Sequence, residues 1–325
     1  MEAHRDPAAA ASSAETVDRI AANVGLVVHA PAETLRLCVL CLLAEGHLII
    51  EDFPGVGKTM LAKALARSVD LGFSRLQFTP DLLPSDVTGV NVFNQRANAF
   101  EFRAGPVFAN VLLVDEINRA SPKTQSALLE CMEERQVTVD TETHPLGTPF
   151  MVIATQNPIE HEGTYPLPEA QLDRFMLRLS IGYPSNEIET QILDSHTAGA
   201  QPLDEIGPVN DAPGVAEMIE QARQVHVAPA LRRYIVDLVE ATRRHGDVYL
   251  GASPRASLMI LRAARAFAAA DERDFVIPDD VKALAVPVLA HRIIVTADAV
   301  MTGRSTEVVL REILDEVAVP VAENP

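Results

Sequence analysis

The sequence has little positive charge and no long hydrophobic run. It contains 27 Lys and Arg residues and 45 Asp and Glu residues, which gives a formal net charge of −18 and a pI near 4.9. Proteins that bind nucleic-acid backbones concentrate Lys and Arg, so the composition argues against that class, although a local basic channel within an assembly stays open. The longest apolar stretches, such as 37–44, fall far short of the roughly 18 residues needed to cross a bilayer. We therefore expect a soluble, cytoplasmic protein without membrane insertion.

Cysteine is scarce as well, with three residues in the chain. Cys38 and Cys41 have the C-x-x-C spacing of redox and zinc sites, but the chain has no second such pair. Both lie within the apolar helical run 35–43, and free cysteine is commonly a core residue. We therefore interpret both as small buried hydrophobic residues.

A phosphate-binding pattern follows the apolar run 48–50. Positions 54–59 read Pro-Gly-Val-Gly-Lys-Thr, in which glycines let backbone N–H groups surround phosphate oxygens and the following helix adds its positive dipole. Lys58 would neutralise the β- and γ-phosphates, and Thr59 would hold Mg²⁺ through its hydroxyl. The general pattern has a glycine where this chain has Asp52, and an ordinary turn that caps a helix is the alternative. The residues expected to contact ATP in this segment are Pro54, Gly55, Val56, Gly57, Lys58, Thr59 and Met60.

Strand-like and helical patterns alternate in the first part of the chain. Apolar strands that alternate with helices predict an α/β fold, with a doubly wound parallel sheet covered on both faces. Two segments break the alternation, at 90–103 and 137–149, and are predicted to be inserted β-hairpins. Ser121 and Pro122 mark the start of a helix that runs to about residue 135. The predicted sheet strands are 47–50, 75–79, 111–115, 150–155 and 175–181.

The pattern becomes helical after about residue 185. Helix-start signals occur at Ser253-Pro254 and Pro278-Asp279. We therefore divide the chain into a disordered N-terminal tail (1–14), an α/β nucleotide-binding core (15–198) and an all-helical lid domain (199–325). The predicted lid helices are 216–224, 230–245, 254–270 and 279–291.

Polar side chains follow two of the predicted strands. Asp115 and Glu116 end an apolar strand, where Asp115 would position Mg²⁺ through its water shell and Glu116 would orient or deprotonate an attacking water. An acidic strand end that faces solvent is the alternative. Asn157 ends another strand, although an Asn before Pro is also a good turn residue. Because ligands sit at the carboxyl ends of strands in such a sheet, Lys58, Asp115 and Asn157 are expected to converge on one crevice.

Taken in order along the chain, these segments resemble the MoxR family of AAA+ ATPases. The resemblance covers nearly the whole chain, from about residue 16 to the last helix, and Asp52 is also usual in that family's loop. The segments that carry it are Pro54-Gly55-Val56-Gly57-Lys58-Thr59, Asp115-Glu116-Ile117-Asn118-Arg119-Ala120, Thr155-Gln156-Asn157-Pro158, Leu167-Pro168-Glu169-Ala170-Gln171-Leu172-Asp173-Arg174-Phe175 and Gly251-Ala252-Ser253-Pro254-Arg255-Ala256.

The resemblance implies an AAA+ P-loop core followed by a helical lid, with ATP bound between them. It gives Lys58 and Thr59 the roles of phosphate and Mg²⁺ ligands. Asp115 and Glu116 correspond to the second nucleotide motif, and Asn157 corresponds to the first sensor residue. ATP and Mg²⁺ are the expected cofactors.

Two arginines acquire roles through the same resemblance. Arg174 resembles the arginine finger, which reaches the γ-phosphate bound by a neighbouring subunit, and Arg255 resembles the second sensor of the lid. An arginine that stabilises charge developing in phosphoryl transfer explains both roles. In the alternative, Arg174 pairs with Asp173 or Glu169 at a surface. Arg255 would then be a solvated first-turn residue, where the helix dipole disfavours a cation.

The resemblance also implies self-assembly into a ring, expected to be a hexamer, that remodels, assembles or activates client proteins. A von Willebrand factor A domain protein is the expected partner, and metal-cofactor insertion is one expected output. Two alternatives share the ATPase core: a chelatase-type motor subunit, and a nucleotide-dependent interaction switch with little turnover. Intact Glu116 and Arg174 favour turnover over the switch.

Two further features receive structural interpretations. His161 invites a zinc-site reading, but Tyr165 stands where the second histidine of the zinc-protease spacing would be, so no metal beyond Mg²⁺ is expected. Phe93, Phe100 and Phe102 in the first hairpin could contact a client in a central pore. Packing beneath the hairpin is the interpretation we favour.

Overall fold

The computed structural model describes residues 12–158, 164–197 and 202–320. Its centre is a five-stranded sheet in the order β2-β5-β8-β1-β9, with every neighbouring pair parallel. The predicted parallel sheet is thus confirmed. The strands before residue 200 are β1 (Leu48–Glu51), β2 (Phe73–Gln77), β3 (Gly89–Asn94), β4 (Ala99–Ala104), β5 (Val111–Asp115), β6 (Gln136–Val139), β7 (Glu142–Pro145), β8 (Met151–Gln156) and β9 (Leu177–Leu179).

Strand limits follow from the partner strands. β2 lies two residues earlier than the predicted 75–79, because it pairs residue by residue with β5, from Phe73 opposite Val111 to Gln77 opposite Asp115. β9 is shorter than the predicted 175–181, because only three residues of that segment pair with β1.

Both predicted hairpins are present as separate antiparallel pairs, β3 with β4 and β6 with β7. In the first hairpin the Asn94 side chain accepts hydrogen bonds from the backbone N–H groups of Arg96 and Ala97, and Asn98 takes a positive φ of 50°. In the second, Asp140 takes a φ of 55°. Asn and Asp tolerate this left-handed conformation better than most residues, so they close the turns.

Helices cover both faces of the sheet and make up most of the second half of the chain. Ser121 caps the helix that begins at Pro122, as predicted, by accepting a hydrogen bond from the Thr124 N–H. The helices are α1 (Ser13–Gly25), α2 (Ala32–Leu43), α3 (Lys58–Ser68), α4 (Pro84–Thr88), α5 (Pro122–Glu134), α6 (Glu169–Leu172), α7 (Asn186–Thr197), α8 (Ala212–Gln224), α9 (Pro229–Arg244), α10 (Pro254–Ala270), α11 (Pro278–Leu289), α12 (Ala297–Met301) and α13 (Thr306–Glu316).

The predicted lid region, 199–325, contains α8 to α13, but it is not entirely helical, as the prediction had it. It contains a short antiparallel pair, β10 (Val248–Leu250) and β11 (Ile294–Val295). The Thr296 N–H donates to the Asp247 carbonyl oxygen over 2.8 Å and continues this pairing. Strands of three and two residues are too short to produce a period-2 pattern in a sequence.

One predicted segment limit, the end of the N-terminal tail, falls within the described residues. The predicted tail 1–14 overlaps the start of α1, because the Ser12 hydroxyl accepts from the Glu15 N–H and caps a helix that begins at Ser13. Residues 1–11 and the predicted boundary between 198 and 199 lie outside the described residues.

Alternating side chains of the sheet enter two apolar clusters. Leu48 and Ile50 of β1 point to the cluster shared with α1, α2, α3 and the lid helices, whereas Ile49 points to the cluster shared with α5. This alternation is what a strand buried on both faces requires. Cys38 and Cys41 lie in the first cluster as free, buried thiols, as predicted, and burial raises the pKa of Cys38 to about 12.

The first two helices also pack against the lid. Arg36 of α2 donates a 3.2 Å hydrogen bond to the Ala270 carbonyl oxygen at the end of α10. The apolar side chains of α1 and α2 lie in the cluster that one face of the sheet shares with the lid helices. None of the helices in the described ranges is both long and apolar enough to cross a membrane.

Candidate nucleotide-binding site

The loop between β1 and α3 forms an open cradle. Gly55 and Gly57 have φ values of 87° and 95°, in the left-handed region that favours glycine. A Cβ at either position would meet nothing within 4 Å, so backbone conformation, not crowding, requires glycine here. The open space leaves the backbone accessible to a ligand at the N-terminus of α3.

Asp52 anchors this loop to the chain that follows β9. Its carboxylate is buried and accepts hydrogen bonds from the Ser180 hydroxyl at 3.0 Å, from the Gly182 N–H at 3.3 Å and from the Ile181 N–H. Its carbonyl oxygen accepts a 2.6 Å hydrogen bond from Lys58 Nζ. The residue that departs from the general loop pattern therefore fixes both ends of the loop.

The predicted convergence of Lys58, Asp115 and Asn157 is found. All three line one cavity of about 340 Å³ at the carboxyl ends of the central strands. Val56 is absent from its lining and packs against the apolar core instead. The residues that line the cavity are Pro54, Gly55, Gly57, Lys58, Thr59, Met60, Arg75, Gln77, Asp115, Glu116, Thr155 and Asn157.

Asp115 is buried and held by two neighbours. Arg75 Nε lies 2.6 Å from Asp115 Oδ2, and the Thr155 hydroxyl donates to Oδ1 over 3.3 Å. Arg75 comes from β2 and Thr155 from β8, the two strands that flank β5 in the sheet. Parallel pairing thus brings side chains of three neighbouring strands together at one carboxylate.

Glu116 has a strained backbone and an ordered side chain. Its φ and ψ of 55° and 56° place it in the left-handed region, which is uncommon for a residue with a Cβ. Oε2 accepts from Gln77 Nε2 at 2.6 Å and from Arg119 Nη1 at 3.1 Å, and the Glu116 N–H donates to Thr155 Oγ1 at 2.9 Å. The carboxylate is therefore aimed into the cavity from a fixed position.

Arg174 and Arg255 occupy a different part of the molecule. Arg174 Nη2 lies 3.2 Å from Glu133 Oε2, and Arg255 Nη2 pairs with Glu133 Oε1. Neither arginine lines the phosphate cavity within the described ranges, so the structure does not place Arg255, the expected second sensor of the lid, at the phosphate loop. The alternative, in which Arg174 pairs with Asp173 or Glu169, is not observed either, because Arg174 pairs with Glu133.

The arginine pair lies between two other cavities, of about 290 and 500 Å³. The smaller one is unusually basic for an acidic chain, because four guanidinium groups and two carboxylates line it. The negative net charge of the whole chain gives no indication of this local excess of positive charge. The charged lining residues are Glu45, Glu133, Arg135, Arg174, Arg255 and Arg262.

Sequence reasoning missed Arg75 and Gln77 at the phosphate cavity, Arg119 as a partner of Glu116, and Glu133 at the arginine pair. Arg75 and Gln77 alternate along β2 and end next to the acidic end of β5. The order of the strands in the sheet, had it been known, would have indicated that these two side chains lie beside Asp115. Glu133 gave no signal, because it is one of several glutamates at the end of α5.

The residues present fit a nucleotide and a hard cation. The Thr59 hydroxyl and the Asp115 carboxylate are oxygen ligands of the type that Mg²⁺ prefers. Across the described parts of the chain, no group of three or more His, Cys, Asp or Glu side chains is arranged to hold a metal ion by itself. A cation here would share its coordination with phosphate oxygens. His161 lies outside the described residues.

The hairpin aromatics divide into two groups. Phe102 stacks on His144 with ring centroids 4.0 Å apart, so the predicted packing beneath the hairpin is right for Phe102. It is wrong for Phe93 and Phe100, which contact each other edge to face while remaining 47% and 72% exposed.

Comparison with known proteins agrees with this geometry. A model of the ATPase family associated with various cellular activities (AAA) matches residues 47–177, and a model of the AAA lid domain matches residues 240–313. The protein YeaC of Bacillus subtilis strain 168 is 50% identical over 93% of this chain and 94% of its own length.

A second relative carries a functional name. Chaperone MoxR1 of Mycobacterium tuberculosis is 42% identical over 95% of this chain and 84% of its own length. The crystal structure of an ATPase candidate from Cytophaga hutchinsonii superposes with a TM-score of 0.86 at 38% identity, covering 95% of this chain and 96% of that one. With a phosphate loop facing an acidic strand end, and with these matches along almost its entire length, the chain belongs to the MoxR family of AAA+ ATPases.

Proposed function

We propose that the protein hydrolyses ATP at sites shared between neighbouring subunits of a ring, expected to have six members. The observation that carries this proposal is the separation of two sets of residues. Lys58, Asp115 and Glu116 share one cavity, whereas Arg174 and Arg255 do not line it and pair with Glu133 instead. A site built from both sets needs a second copy of the chain.

Within one subunit, the loop would bind the phosphates through its backbone N–H groups. Lys58 would exchange its hydrogen bond with the Asp52 carbonyl oxygen for one with a phosphate oxygen. Thr59 and Asp115 would hold Mg²⁺, which supplies neutralisation of phosphate charge. Glu116, already fixed by Gln77 and Arg119, would orient or deprotonate the attacking water, and Asn157 would contact the same water or the terminal phosphate.

Arg174 and Arg255 would complete the phosphate site of the adjacent subunit. A guanidinium group stabilises the charge that develops in phosphoryl transfer, and supplying it from a neighbour makes hydrolysis depend on assembly. The basic cavity beside the pair supports this role, because an anion such as a triphosphate would offset its positive excess.

The output of hydrolysis would be the remodelling of client proteins. The name of the M. tuberculosis relative, a chaperone, supports this step. More specifically, we propose that this remodelling assembles or activates a client complex or inserts a metal cofactor, and that a von Willebrand factor A domain protein cooperates in it. Phe93 and Phe100 offer exposed aromatic surface for client contact.

The test combines concentration dependence with subunit mixing. ATPase rate per subunit is expected to rise with protein concentration in parallel with oligomer mass, both measured with ATP and Mg²⁺. Arg174→Ala and Lys58→Ala are each expected to be inactive alone and active when mixed, because the second variant supplies arginines to the intact loops of the first. A concentration-independent rate in a stable monomer, or ATP binding with negligible turnover, would overturn the proposal.

A further inference from the structure

Asp173, the residue before Arg174, joins the sheet side of the molecule to the lid. Its Oδ1 accepts a 2.7 Å hydrogen bond from Nε of Arg292, a residue that lies just after α11. Its Oδ2 accepts a 2.7 Å hydrogen bond from the Ser253 hydroxyl. Its carbonyl oxygen accepts a further bond, of 3.0 Å, from Arg292 Nη2. One residue therefore contacts two separate lid elements.

Arg292 is buried to an extent that is rare for arginine, with 1% of its side chain exposed. It donates to the carbonyl oxygens of Phe175 at 2.5 Å and Met176 at 3.2 Å, and also to that of Val288. Burial lowers the pKa of Arg292 to about 10 while Asp173 opposes that shift, so the group stays charged at neutral pH. A buried cation with one carboxylate and several carbonyl acceptors holds its surroundings rigidly, because any displacement leaves charge or donors unpaired.

Ser253 connects this network to Arg255. Its hydroxyl donates to Asp173 and accepts a 3.1 Å hydrogen bond from the Arg255 N–H at the start of α10. Arg174 follows Asp173 directly in the chain, and Arg255 lies two residues after Ser253. The bond between Asp173 and Ser253 therefore fixes the backbones of the two arginines relative to each other, and Glu133 joins their side chains.

We infer that Asp173, Ser253 and Arg292 are positioning residues that hold Arg174 and Arg255 as one preorganised pair for the nucleotide of the neighbouring subunit. The inference rests on the proposed shared site. Preorganised charges act in phosphoryl transfer without a reorganisation cost at the moment of reaction, and a misplacement of about 1 Å costs on the order of 100-fold in rate. The network would thus affect hydrolysis in the adjacent subunit while leaving nucleotide binding in its own subunit intact.

The first test is Ser253→Ala, which cuts the Asp173 contact without leaving a buried charge unpaired. We expect kcat to fall by about 10- to 100-fold, with the KM for ATP within about 2-fold of wild type. Ser253→Thr keeps a hydroxyl and is expected to keep most of the rate. Ser305→Ala is the matched control, because Ser305 also caps a helix of the lid region, α13, through its hydroxyl but touches neither arginine; it is expected to leave kcat unchanged.

Subunit mixing identifies which side of the shared site is damaged. Adding Lys58→Ala subunits is expected to restore the rate of Ser253→Ala, because they carry intact arginine pairs, whereas Lys58→Ala mixed with Glu116→Gln must stay inactive. Asp173→Asn provides a second variant, with urea unfolding to verify that it folds, and is expected to be rescued in the same way.

The outcomes separate this inference from the proposed function. If Lys58→Ala subunits fail to rescue Arg174→Ala, the shared site itself is wrong. If they rescue Arg174→Ala, but Ser253→Ala keeps the wild-type rate, or loses it without being rescued, only the positioning role is overturned. A kcat loss equal to that of Ser305→Ala would also overturn it, because loss of a helix cap would then explain the effect.

Discussion

Gln77 and Glu116 meet across the ends of two neighbouring strands, where the Gln77 side-chain amide donates a 2.6 Å hydrogen bond to Glu116 Oε2. Glu116→Gln keeps the size of the side chain but removes its ability to accept a proton. We expect kcat to fall by about 100-fold or more, with ATP affinity within a few-fold of wild type. Phosphate release and binding of a fluorescent nucleotide measure the two quantities. Glu217→Gln, at an exposed position of α8, is the control, and an equal loss there would contradict the assignment.

Asp52 offers a test of stability. Asp52→Ala would remove the acceptor of the Ser180, Ile181 and Gly182 donors, and we expect a loss of about 2–4 kcal/mol in the free energy of unfolding, because buried donors without partners are costly. Asp52→Asn keeps one acceptor oxygen and should lose less. Urea unfolding provides the measurement. Asp237→Ala, which removes the exposed pair with Arg233, should cost about 0.5 kcal/mol or less; equal losses would refute the anchoring role of Asp52.

Gly89 is required where the first hairpin begins. It has a φ of 96°, and a Cβ there would lie 2.3 Å from the Arg103 carbonyl oxygen and 2.7 Å from the Gly105 N. These are backbone atoms of β4 and of the residue that follows it, and they cannot rotate away as a side chain could, so Gly89→Ala is expected to cost about 2–4 kcal/mol in unfolding free energy. The matched variant Gly147→Ala would meet only the end of the Asn110 side chain at 3.5 Å. A shift in thermal midpoint no larger than that of Gly147→Ala would contradict the expected strain.

His47 predicts a loss of stability in acid. Its Nε2–H donates to the Met132 carbonyl oxygen at 3.1 Å and its Nδ1 accepts from the Val152 N–H at 3.0 Å, so the partners fix a neutral tautomer. Burial lowers the pKa of His47 from 6.5 to about 4. Between these values the unfolded chain binds a proton that the folded chain does not, so unfolding free energy falls as pH decreases from about 6.5 to 4, by on the order of 3 kcal/mol from this group.

Urea unfolding of wild type and His47→Gln at several pH values between 7.5 and 4.5 isolates this contribution. The slope for the variant should be smaller by up to about 1.4 kcal/mol per pH unit, although His291, whose pKa burial also lowers, continues to contribute. His226→Gln changes an exposed histidine and serves as the control. Identical slopes for wild type and His47→Gln would show that His47 does not remain neutral in the folded protein.

Local patterns predicted the parts of the site that are contiguous in the chain. The glycine loop with Lys58 and the acidic end of β5 each occupy a few adjacent residues, and the parallel sheet follows from alternating apolar strands and helices. The partners of Glu133 and the role of Asp52 were not predictable, because they depend on contacts between distant segments. The same applies to Arg255. The Ser253-Pro254 signal predicted that Arg255 lies at the start of a helix, but nothing in the sequence predicted how the lid is oriented.

The hydrogen bond from Arg36 to Ala270 spans 234 positions of the chain, and this distance has a consequence for synthesis. At about 5–20 residues per second, α2 leaves the ribosome roughly 10 to 50 s before the end of α10 that it contacts. Most residues of α2 are buried in the finished protein, partly against α8 and α10, so the part of its surface that these lid helices cover stays exposed on the growing chain during that interval. The nascent protein therefore carries exposed apolar surface near its beginning until α10 has been made.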